Sequence, residues 1–224
     1  MPQPSIIAID GPAASGKTTL GYRLAEALGY LFFDTGVMYR AVTWLALQRD
    51  LDMNNEAGIT KLAQKISIDV RPPSKYDGRM CDVLADGVDV TWETRRPEVD
   101  ANVSQVSTYK RVRKALASQQ RRIGLRGRVV MIGRDIGTVV LPEAGLKIYL
   151  DASAEVRARR RYDEITARGE KGVFGEILAG VRRRDEIDSR RTHSPLKVAK
   201  DAIVIDSNSL NADEVFTTVE ALCK

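Results

Sequence analysis

Histidine and cysteine are nearly missing from this chain: one His (His193) and two Cys (Cys81 and Cys223) in 224 residues. A lone imidazole cannot build a histidine metal site or a histidine pair, so His193 is read as structural. The two thiols lie far apart and match no metal-ligand or redox spacing. They are read as reduced, structural cysteines, which predicts a cytoplasmic protein. No apolar run approaches the ~20 residues of a membrane span, so a membrane partner is not expected. The start, Met1-Pro2-Gln3-Pro4, lacks the basic region and cleavage site of a signal peptide. Repeats and low-complexity segments are absent as well.

What is present is an ordinary globular balance, 43% hydrophobic and 29% charged, on a length that suits one core with a modest insertion or lid. The net charge of +5 comes from 35 basic and 30 acidic side chains. So small an excess does not argue for nucleic acid, and its distribution matters more. Arginines gather at 111–113, 121–128, 157–161 and 182–191. They are either solvated helix faces or guanidinium forks around phosphates.

The order of patterns predicts an α/β fold. An apolar run over 5–10 ends at a glycine-rich turn, as a buried parallel strand does. A helical pattern follows from Lys17, with Leu20, Leu24, Ala27 and Leu28 on one face, and Gly29 stops it. Residues 30–33 read as the next strand, completing a right-handed βαβ unit. Helices are predicted over 37–49, 57–65, 97–106, 110–123, 153–168, 174–189 and 212–223, and strands over 129–132, 147–150 and 202–205. Between them, 66–90 alternates apolar and polar residues around Pro72-Pro73, Asp77-Gly78 and Asp86-Gly87. It is read as a small antiparallel insertion. The expected architecture is a parallel sheet with helices on both faces.

Gly11-Pro12-Ala13-Ala14-Ser15-Gly16-Lys17-Thr18 meets every fixed position of the phosphate-binding loop G-x-x-x-x-G-K-[ST]. Glycines let backbone N–H groups turn inward around a β-phosphate, and the following helix offers its positive end. Lys17 then neutralises the β- and γ-phosphates of ATP, and Thr18 ligates Mg²⁺. No Asn-Lys-x-Asp guanine reader occurs, which argues against a GTPase switch. A short chain with this loop at its start and arginine-rich helices near its end suits a small-molecule kinase. A nucleic-acid-binding protein using the arginine helices is the remaining contrast, and it predicts steeply salt-dependent binding.

Two further segments follow predicted strands, where α/β ligand sites form. They are Asp34-Thr35-Gly36-Val37-Met38-Tyr39-Arg40 and Gly133-Arg134-Asp135-Ile136-Gly137-Thr138-Val139-Val140. Arg40 either forks onto a phosphate or lies on a helix face. Arg184, Asp188 and Arg191 share one helical face and can converge on one ligand.

With Arg184-Asp185 and Ser194-Pro195-Leu196-Lys197, these motifs resemble bacterial cytidylate kinase, in order and over essentially the whole chain. The resemblance implies a P-loop kinase fold with a core at 1–35, 125–153 and 190–224, a monophosphate-binding region at 36–124 that carries the insertion, and a helical lid at about 154–172. It implies transfer of the ATP γ-phosphate to CMP or dCMP by a monomer. Gly11 to Thr19, including Thr19 itself, would bind the donor, with Arg157 and Arg161 of the lid, and Arg160 beside them, reaching for the transferring phosphoryl. The lid arginines otherwise belong to a solvated face. Thr35, Tyr39 and Arg40 would sit at the acceptor. Arg40, Arg134 and Arg191 would grip its phosphate, and Lys17, Arg134 and Arg191 would serve the transfer itself. Ser104, Arg113 and Asp135 would read cytosine, whose amino donor and two acceptors suit a carboxylate, an arginine and a hydroxyl. Arg184 and Asp188 would hold the ribose hydroxyls. One position departs from the family, which usually has an acidic residue where this chain has Ile132. If that acid helps hold Mg²⁺ water, the task falls to Thr18, with Asp10 behind it. Rival acceptors for a small P-loop kinase are AMP, UMP and shikimate.

Overall fold

A computed structural model describes residues 3–223. The Met1-Pro2 start, read above for targeting signals, and Lys224 lie outside the described residues. In chain order the elements are β1 (Ile6–Asp10), α1 (Lys17–Leu28), β2 (Leu31–Asp34), α2 (Gly36–Gln48), α3 (Glu56–Lys65), β3 (Ile68–Arg71), β4 (Asp82–Ala85) and β5 (Val88–Asp89). They continue with α4 (Pro97–Val106), α5 (Lys110–Gly124), β6 (Val129–Gly133), a π turn (Ile136–Val140), β7 (Leu146–Asp151), α6 (Ala154–Ala167), α7 (Phe174–Arg190), β8 (Ile203–Asp206) and α8 (Ala212–Ala221).

Five strands form a parallel sheet in the order β2-β6-β1-β7-β8. Strand alternation divides their apolar side chains between two cores. Ile7, Ile9, Phe32, Val130, Ile132 and Ile148 pack on one face against Leu20 and Leu24 of α1 and Val215 and Val219 of α8. Ala8, Phe33, Val129 and Met131 face the other way, onto α2, α3 and α5 through Met38, Val42, Ile59, Leu116 and Ile123. The expected two-faced α/β sheet is therefore what forms.

The insertion is a three-stranded antiparallel sheet, β3-β4-β5. Its second strand starts at Asp82, past a turn that Arg79 organises. The Arg79 guanidinium pairs with Asp77, Asp82 and Asp89, each at 2.8 Å, and folds 77–81 into a compact turn. Its buried apolar strand residues, Ile68, Val70, Val83 and Ala85, join the α2–α5 core. The closing helix α8 ends at Ala221, two residues short of the sequence-based expectation. Cys81 and Cys223 are buried and form no disulfide, and burial pushes the Cys81 thiol up to about 12. No described helix is long and apolar enough to cross a membrane.

Candidate active site

Because the sheet is parallel, β1, β2, β6 and β7 all deliver their carboxyl ends to one rim. The loops there wall a cleft of about 1220 Å³, larger than the ~300–1,000 Å³ typical of a pocket for a single small ligand.

The phosphate-binding loop forms its floor. Gly11 passes so close beneath β7 that a Cβ there would lie 2.2 Å from the Leu150 carbonyl oxygen. Ala14 holds a left-handed backbone (φ 60°) without being glycine; such strain is kept where the surrounding structure over-determines it. Ala13 to Thr19 line the cleft, while Gly11 and Pro12 lie behind them. The Lys17 ammonium donates to the Pro12 carbonyl at 2.6 Å and the Ser15 hydroxyl at 3.2 Å. Burial, and then the neighbouring Arg134 cation, lower its pKa. A lysine so placed gains from an arriving polyphosphate. Thr18 is exposed in the cleft, its hydroxyl without a hydrogen-bond partner among the described residues.

The opposite wall carries the predicted acceptor residues. Thr35, Tyr39, Arg40, Ser104, Arg113, Arg134, Asp135, Arg184 and Arg191 all line the cleft. Arg113 pairs with Asp135 at 2.8 Å and lies over the Tyr39 ring, 5.4 Å from its centroid. Arg184 donates to the Ser104 hydroxyl at 2.5 Å, bridging α7 to α4. The Arg40 Nη1 meets Asp100 at 2.5 Å and the Thr94 carbonyl at 3.2 Å, so its remaining edge is available. Two buried guanidinium nitrogens, Arg113 Nε and Arg191 Nη2, have no hydrogen-bond partner among the described residues. Unmet donors in a cleft mark where a ligand's oxygens belong. Thr35 differs in detail, since its hydroxyl donates to the Ile132 carbonyl at 2.9 Å.

Three expectations need correction. Asp188 does not reach the cleft wall. It is 1% exposed, and its carboxylate meets Arg134 at 2.9 Å, Arg184 at 3.4 Å and Arg191 at 3.5 Å. Burial opposes its ionisation, yet the three cations hold its pKa below the usual range. In this structure it holds three arginines. Arg157 is not on the wall either. Its Nε donates to the Ala152 carbonyl, and its Nη1 and Nη2 fork onto Asp185 at 3.0 and 2.5 Å. The same Nη1 donates to the Ala13 carbonyl at 3.0 Å. With every nitrogen committed, it braces the phosphate loop from behind. Arg160 and Arg161 do line the cleft. Finally, both oxygens of Asp10 accept backbone N–H groups, from Ile136 and Gly137, so it does not stand behind Thr18 as an open carboxylate.

Sequence reasoning assigned no role to several lining residues. Asp34 lines the cleft at the end of β2, paired in register with Ile132, and acts electrostatically on Lys17. Its place in the Asp34-Thr35-Gly36 motif was the available signal. Ser207, Leu210 and Asn211, before α8, line the far end beside Arg160, which donates to the Ser207 and Leu210 carbonyls. No motif marks them.

Among known proteins, the family model described as cytidylate kinase matches residues 7–224. The cytidylate kinase of Herpetosiphon aurantiacus is 50% identical over 222 residues, spanning 99% of this chain and 95% of that protein. That of Roseiflexus castenholzii is also 50% identical over 222 residues, spanning 99% of this chain and 94% of its own. A solved structure described as an uncharacterized protein from Eubacterium ventriosum superposes with a TM-score of 0.50 at 10% identity, covering 97% of both chains. That last likeness is one of fold alone.

Proposed function

The chain belongs to the cytidylate kinase family, and we propose that its cleft holds ATP and CMP or dCMP end to end, phosphate against phosphate. It is an ATP-dependent nucleoside monophosphate kinase, giving ADP and CDP or dCDP. The observation that supports this arrangement is that Lys17 of the phosphate loop, Arg134, Arg191 and the Arg113–Asp135 pair all line one cleft.

The attacking oxygen belongs to a phosphate already charged at neutral pH, so no strong base is needed. Catalysis is positioning and charge neutralisation. ATP brings about four negative charges and the monophosphate about two, since a phosphate's second pKa lies near 6. Lys17 and the phosphate-loop amides meet the donor's β- and γ-phosphates. Arg40, Arg134 and Arg191 grip the acceptor phosphate, Asp188 setting the aim of the last two. Arg113, Asp135 and Ser104 read cytosine, and Arg184 reaches the ribose. The donor base lies toward Ser207 and Leu210, under Arg160 and Arg161.

The donor set suits Mg²⁺, which needs few protein ligands and keeps water and phosphate oxygens for the rest. Thr18 offers an unpartnered hydroxyl to the cleft, and Asp34 stands on the same wall. When bound there, the ion would supply positive charge that offsets the donor phosphates. The proposal extends to a monomer working in the cytoplasm, with core, monophosphate-binding region and lid dividing the labour as the resemblance implies.

The test is a panel of acceptors with coupled ADP detection. CMP and dCMP should outrun UMP, AMP and shikimate, because a carboxylate facing the uracil 4-oxygen leaves reader groups unpaired. Asp135→Ala should raise the KM for CMP far more than that for ATP. Equal losses for both nucleotides would refute the base-reading role.

A further inference from the structure

The carboxylate that ends β1 has no part in the steps above. Asp10 is 4% exposed, and its two oxygens accept the backbone N–H groups of Ile136 and Gly137, each at 2.8 Å. These are the leading amides of the Ile136–Val140 turn, donors that a helix start leaves without partners of its own. The residue placed to cap them is Asp135, and aspartate is among the best caps. An N-cap side chain takes the second or third amide of its turn, here Gly137 or Thr138. Yet Asp135 makes no such bond. Its carboxylate is spent on Arg113 at 2.8 Å and lies 3.9 Å from Arg191.

Strand geometry explains how a residue so far away in sequence takes over. Asp10 sits opposite Gly133 in the β1–β6 register. Alternation puts its side chain on the face of Ala8, the face onto which Ile136 folds. The main chain meanwhile turns at Gly11 toward α1 on the other face. One residue thus opens the phosphate loop with its backbone and caps the neighbouring loop with its side chain.

We propose that Asp10 is a positioning residue for acceptor recognition: by capping the 136–140 turn from β1, it releases the Asp135 carboxylate to pair with Arg113 and face the acceptor base. This rests on the reading of Asp135 as a base reader. Without Asp10, the nearest carboxylate able to satisfy Gly137 is that of Asp135, and capping draws it off Arg113.

The test compares Asp10→Asn, which keeps one acceptor, Asp10→Ala, which keeps none, and Asp135→Ala. Asp10→Ala should raise the KM for CMP about tenfold, the size of one lost charge-assisted hydrogen bond. The KM for ATP should stay within about twofold, and the preference for CMP over UMP should narrow. Asp10→Asn should show the same changes, smaller; if the alanine variant does not fold, the asparagine variant carries the test. Crystals of the variant should show the Asp135 carboxylate moved from Arg113 to the turn amides. Asp135 remaining on Arg113, or the KM values for ATP and CMP rising together, overturns the proposal. Should Asp135→Ala keep the CMP preference, the base-reading assignment fails instead, and the position of Asp135 in the variant crystals still decides the role of Asp10.

Discussion

Lys17 is a cation with almost no water around it, only 5% exposed and bonded to Pro12 and Ser15 within its own loop. An uncompensated buried charge costs stability, so evolution keeps it for binding rather than folding. Lys17→Ala should lower turnover about a hundred- to a thousandfold, the scale seen when one transition-state donor is removed, while leaving the melting temperature unchanged or raised. Parallel coupled assays and calorimetry measure both. Asp10 allows a similar argument with pH. Burial raises its pKa to about 6 from 3.8, against the pull of the Gly137 and Ile136 amides; nearby Asp135 adds to the rise and Lys17 opposes it. A raised acid contributes stability that is complete below the unfolded value and disappears as pH climbs through the folded one. The stability of the parent relative to Asp10→Asn should therefore fall between about pH 4 and pH 6, by on the order of 3 kcal/mol. Urea titrations across that window would show it, and a flat difference would contradict it.

Elements carry effects that no single residue announces. Helix α7 and the extended residue after it turn Arg184, Asp188 and Arg191 to one side, where Asp188 also meets Arg134 from the loop after β6. Helix α6 inserts Arg157 beneath the phosphate loop and clamps it to Asp185 of α7. Arg157→Leu should weaken ATP binding by loosening the loop at Ala13, and lower stability by about 3 kcal/mol, the lower end of what breaking a buried pair costs, since Asp185 is partly solvated. Lysine should rescue little, because it cannot fork. In the insertion, Arg79 holds three carboxylates, and the Trp92 indole donates to Asp77 at 2.9 Å. Arg79→Met should unlock the 72–81 turn. Faster amide exchange over 72–92, with exchange in the parallel sheet unchanged, is the expected readout.

At the scale of the whole molecule, the cleft lies between the α6–α7 hairpin and the α2–α5 side, over the phosphate loop. The tip of that hairpin, 168–173, is exposed at Arg168 and Lys171 and turns on Gly169 in a left-handed conformation. A bisubstrate analogue spanning both ends should slow trypsin cleavage at Arg168 and Lys171, whereas CMP alone should not, since closure must exclude water only when the phosphates meet. The sequence alone determined the order of elements, the two-faced sheet and the phosphate loop, because periodicity and glycine spacing act over a few residues. It also brought Thr35, Tyr39, Arg40, Arg134 and Asp135 to one rim, since strand ends in a parallel sheet share an edge. Only the tertiary structure decided which arginines face the cleft and which brace it, as Arg161 and Arg157 do from a single helix. It alone set Asp188 behind three guanidinium groups and Asp10 beneath the Asp135 turn. Those outcomes depend on partners brought from distant parts of the chain by packing, and local pattern carries no record of them.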